Sequence, residues 1–69
     1  MGWLADSIMR VLRERPGEVV TVPELIAAIY KHDPNGGPDY ARIGINVTVS
    51  RMRKQGVNIE TVVGYRVPK

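Results

Sequence analysis

The densest polar chemistry of the chain lies in "NVTVSRMRK", residues 46–54, where a carboxamide (Asn46), two hydroxyls (Thr48, Ser50) and three cations (Arg51, Arg53, Lys54) crowd one short stretch. Such groups bind hydrogen-bond acceptors and anions; none is a nucleophile with a base beside it or half of a metal site. Arg can bridge two acceptors on a guanine edge, Asn can pair with adenine, and the apolar Val47 can meet a thymine methyl. Thr48, Ser50 and the remaining cations can reach phosphate oxygens. Catalysis has little to draw on. His32 is the only imidazole and adjoins Asp33 at the edge of a Gly/Pro loop, and Cys is absent. No metal site, disulfide or cofactor is expected, and the chain is read as not an enzyme.

For residues 46–54 to act as one surface they must be helical. "INVTV" alone could be a strand with period two, but Ile45, Val49 and Met52 lie at i, i+4 and i+7, and "RMRKQ" favours a helix. The spacing predicts a helix over 40–55, capped by Asp39 and stopped by a left-handed Gly56. At about 100° per residue, aiming Ile45, Val49 and Met52 at a core turns Ile43, Val47, Ser50, Arg51 and Lys54 outward, flanked by Asn46 and Thr48. Gly44 is the weak point. Glycine costs about 1 kcal/mol in a helix interior, so fraying or a late start is expected there.

The elements upstream must supply the core. Leu4, Ile8, Val11 and Leu12 make one stripe of a first helix, which "RPGE" ends through Pro16 and Gly17. Residues 18–20 allow a short strand or an extended link. "TVPE" then reads as a capping box, with Thr21 as N-cap, Glu24 three residues on and Pro23 in the first turn. It opens a helix over 22–31 that buries Leu25, Ile26 and Ile29. "HDPNGGPD" is too rich in Pro and Gly for regular structure and reads as a flexible connector. After Gly56 the chain alternates through Val57, Ile59 and Thr61, turns near Val63 and Gly64, and returns through Tyr65 and Val67, a hairpin of open turn type. Trp3 is expected to cover the core.

Sixty-nine residues suffice for one domain, 1–69, and a single small core. No apolar run approaches the roughly 20 residues of a membrane span, and charges are scattered through the first helix, so the chain reads as soluble and cytoplasmic, without a membrane partner. Charge is uneven. Residues 1–40 hold four basic side chains against six acidic, whereas residues 41–69 hold six basic against Glu60 alone. An anionic partner for the second half follows naturally.

Three segments in order, "RPGEVVTVPELIAAIY", "VTVSRMRK" and "IETVVGYRV", resemble the winged-helix DNA-binding domain of OmpR/PhoB-type response regulators. The resemblance spans most of the chain, from about Val11 to Val67. It implies an α+β fold: a winged helix-turn-helix of three helices, a short strand after helix 1 and a C-terminal β-hairpin wing. It further implies a bacterial or phage transcription regulator that binds double-stranded DNA with helix 3 in the major groove, as a monomer or weak dimer on DNA. Carried over by position, Val47 and Arg51 face bases, Thr48, Ser50, Arg53 and Lys54 lie near phosphates, and Arg66 approaches DNA from the wing beside a Tyr65 packed on the helices. The wing is about two residues shorter than in the family, and the Arg that usually follows "TV" is missing. A module without a receiver domain is expected. The loop "KHDPNGGPDY" falls where related regulators touch RNA polymerase, and RNA polymerase or another regulator is expected as a further partner. Winged helices also serve as protein-interaction adaptors, which is the alternative function.

Overall fold

The three helices predicted from apolar spacing are present in the computed structural model, which describes residues 2–61 and 64–68. Helix α1 spans Trp3–Glu14, α2 Val22–Ile29 and α3 Ala41–Lys54. A hairpin follows, β1 Glu60–Thr61 and β2 Tyr65–Arg66, antiparallel with Glu60 opposite Arg66 and Thr61 opposite Tyr65. The layout is α+β. Val62 and Val63, where the turn was expected, lie outside the described residues.

Each helix donates part or all of its predicted stripe to one core. Ile8 and Leu12 of α1, Leu25 of α2, and Ile45, Val49 and Met52 of α3 are fully buried, and Val20, Ile59, Tyr65 and Val67 close the core from the hairpin side. Burying each of the large aliphatic side chains contributes roughly 1.5–3 kcal/mol. The three helices contact one another pairwise, and this holds α3 against two supports. No helix among the described residues is long and apolar enough to cross a membrane.

Local signals set the start of α2 and the end of α3. Thr21 accepts from the Glu24 backbone N–H at 3.3 Å while the Glu24 carboxylate accepts from the Thr21 N–H at 3.1 Å, the reciprocal pair of a capping box. Gly56 ends α3 with φ of 92°, its N–H donating to Arg53 and that of Val57 to Met52, a Schellman closure.

Six expectations are corrected. First, the strand after helix 1 is a single antiparallel bridge. Val20 and Tyr65 exchange two backbone hydrogen bonds of 2.8 and 2.9 Å, and Gly17 donates to Val67 at 2.8 Å. The turn at Pro16 and Gly17 and the N-cap at Thr21 leave no room for a longer ladder. Second, α2 stops at Ile29 instead of 31, because Tyr30 leaves helical geometry and the next residues fold into turns closed by Tyr30–Asp33 and Asp33–Gly36 backbone bonds. Third, Ile26 and Ile29 are only half-buried on the rim of the core. Fourth, Asp39 does not cap α3. Tyr40 takes the cap position without a side-chain bond, and the Ala41 N–H donates to Pro38 at 3.0 Å, so a backbone turn starts the helix. Fifth, Trp3 covers Tyr30 more than the core. It is 62% exposed and meets that ring edge-to-face at 5.9 Å. Sixth, helix α3 shows no late start at Gly44, which sits beside Leu4 in a continuous helix.

Candidate nucleic-acid interface

Helix α3 divides into four strips once its core side is fixed. Ala41, Ile45, Val49 and Met52 are buried. Diametrically opposite, Ile43, Val47, Ser50 and Lys54 are exposed, and Arg51 lies at the edge of the same strip. Among the described residues, Ser50, Arg51 and Lys54 make no side-chain hydrogen bond or ion pair with another residue. Val47 sits between them, 44% exposed. This outward strip therefore presents two cations without a partner among the described residues, a hydroxyl and a small apolar group, chemistry suited to anions and hydrogen-bond acceptors.

The strip on the α1 side holds Thr48, half-buried, which with Arg51, Met52 and Gln55 borders a cleft of about 250 Å³ closed by Gly2, Leu4 and Ala5. On the hairpin side lie Asn46 and Arg53. The structure ties both to the hairpin. Arg53 Nε donates to the Ile59 carbonyl at 2.9 Å, a terminal nitrogen donates to the Thr61 hydroxyl, and the guanidinium lies 5.7 Å from the Tyr65 ring centroid. The Tyr65 hydroxyl donates to Asn46 Oδ1 at 2.5 Å. Arg66, on β2, is held by Glu60, with nitrogen to oxygen distances of 3.0 and 3.3 Å.

The eight residues singled out by sequence thus separate. Val47, Ser50, Arg51 and Lys54 share the free outward strip, and Thr48 borders it. Asn46 and Arg53 are engaged with the hairpin, and Arg66 is paired with Glu60. Arg42 is a cation that sequence reasoning left out; it is exposed in the first turn of α3 on the same side as Asn46. Its signal was available in the helical spacing, since 42, 46 and 53 share one side of the wheel.

Away from this face, the Tyr30 hydroxyl is raised above its ordinary value, first by burial and then by the neighbouring Tyr40 and Asp33. His32 is exposed, and no three of His, Cys, Asp and Glu among the described residues could share a metal ion. Compared with protein-family models, with curated proteins and with solved structures, the chain matches none, so its function is argued from this geometry.

Proposed function

We propose that this chain is a winged helix-turn-helix module, of bacterial or phage origin, that binds double-stranded DNA and regulates transcription in the bacterial cytoplasm, without enzymatic activity of its own. Helix α2, the turn region and α3 form the helix-turn-helix, α3 enters the major groove, and the hairpin is the wing. The observation that carries the reading is the outward strip of α3. Arg51 and Lys54 stand there without partners among the described residues, beside Val47 and Ser50, on a helix whose other side is locked in the core. A rigid helix costs little ordering on binding, so its cations are available to phosphates and base edges as they stand.

Titrating isotope-labelled protein with a random-sequence duplex at low and moderate salt tests this. Amide shifts centred on residues 46–54 and reversed by salt are expected. Silence in that segment of a folded protein would refute it.

A second reading, as a protein-interaction adaptor, is favoured by one observation. Tyr40, Ile43 and Val47 are 68%, 66% and 44% exposed and fall at i, i+3 and i+7 on one side of α3. A partner docking on that stripe would be held by an apolar centre, and its binding would respond to salt far less than phosphate contacts do.

A further inference from the structure

The geometry points to Tyr65 as a positioning residue that orients Asn46 for base reading, so that base preference depends on a hydroxyl that never meets the nucleic acid. This rests on the DNA-binding reading. Asn46 stands on the exposed hairpin-side edge of α3, next to the outward strip. A free Asn carboxamide rotates, and its two ends offer opposite hydrogen-bonding character, so an undirected Asn reads a base edge poorly. Here the end is chosen by the protein. The Tyr65 hydroxyl donates to Oδ1, which leaves the Nδ2 protons without a partner among the described residues.

Tyr65 is itself held on every side. It is buried, its backbone pairs with Val20 on one edge and Thr61 on the other, and its ring lies under the Arg53 guanidinium. Arg53 in turn is bonded to Ile59 and Thr61, so the hairpin cannot shift along α3 without breaking those bonds. The hairpin therefore has a role at the reading helix that needs no wing contact with DNA. Its register sets where the Tyr65 hydroxyl sits, and the hydroxyl sets which face of Asn46 is offered. A preorganised donor of this kind gains specificity because its orientation is set before binding.

Selection of bound duplexes from a randomised library, run on wild type, Asn46→Ala and Tyr65→Phe, tests the assignment. Asn46→Ala should erase the preference at one base pair, roughly a 5- to 150-fold discrimination for a well-made contact. Tyr65→Phe should lose most of that discrimination at the same base pair. Its dependence on salt should stay that of wild type, since no cation is removed. Were the hydroxyl merely structural, Tyr65→Phe would melt earlier and keep the full preference, and that result would overturn the proposal. Asn46→Ala that relaxes no position would overturn it as well, while leaving DNA binding intact. Failure of the wild type to bind any duplex would instead remove the DNA reading and this proposal together. Should Tyr65→Phe not fold, relaxation of the Asn46 side-chain amide in the free wild type decides. An ordered carboxamide is expected, and a freely averaging one would overturn the assignment.

Discussion

Arg51 and Arg53 are two residues apart on one helix, yet the structure gives them opposite dependencies, and a matched pair of substitutions separates them. Arg and Ala have nearly equal helix propensity, so Arg51→Ala and Arg53→Ala leave the intrinsic stability of α3 almost unchanged. Arg51 has no bonded partner among the described residues, so its removal should change unfolding free energy by less than about 0.5 kcal/mol. Arg53 loses a part-buried bond to the Ile59 carbonyl, an exposed bond to Thr61 and its place over the Tyr65 ring. One such net hydrogen bond and an exposed cation–π contact together are worth about 1–2 kcal/mol. In a domain of this size that corresponds to a fall in Tm of about 4–16 °C. Thermal unfolding followed by circular dichroism, with both variants in one buffer, reads the difference. Duplex binding should show the reverse order, with Arg51→Ala losing more affinity at a temperature where both are folded. Equal melting of the two variants, or an unchanged Tm for Arg53→Ala, would refute the assignment of Arg53 to the hairpin.

Two glycines should respond to the same substitution with opposite signs. A Cβ at Gly44 would lie 3.7 Å from Leu4 Cδ2, an ordinary contact, so Gly44→Ala should stabilise by about 1 kcal/mol and raise Tm by about 4–8 °C. A Cβ at Gly64 would fall 2.3 Å from the Val20 carbonyl oxygen and 2.8 Å from Thr21 Cα, both backbone atoms. Gly64→Ala should therefore break the Val20–Tyr65 bridge and cost about 2–4 kcal/mol, seen as a lower Tm and as faster exchange of the Tyr65 amide proton. Glu60→Gln releases the Arg66 guanidinium from its carboxylate, and duplex affinity at low salt should rise a few-fold; unchanged affinity would mean that Arg66 stays away from DNA.

What could be read from the sequence was local or periodic. The capping box at Thr21 and Glu24 involves neighbours three residues apart, and the Ile45, Val49, Met52 stripe follows from helix geometry alone, so both were visible without a fold. The hairpin was visible as alternation with a Gly-containing turn. The end of α2, the backbone start of α3 and the single bridge at Val20 were not, because each depends on how the chain turns to reach another element. Arg53 makes the same point at the site. By type it matches Arg51, and although helical spacing turns it to the side of Arg42 and Asn46, only the register of the hairpin, Glu60 against Arg66, brings Ile59 and Thr61 within its reach. Asn46 was read as a base contact from its place on the helix, but its partner Tyr65 lies 19 residues further along the chain, beyond the reach of helical spacing.

The central claim is that the free cations of α3 neutralise phosphates, and the salt dependence of duplex affinity tests it most directly. Wild type should show log affinity falling steeply and linearly with log salt concentration. The double variant Arg51→Ala, Lys54→Ala, which keeps every bond to the hairpin, should melt as wild type does and lose about 2 from that slope. A shallow slope in the wild type, or the same slope in both proteins, would contradict the claim and turn attention to a protein partner on Tyr40, Ile43 and Val47.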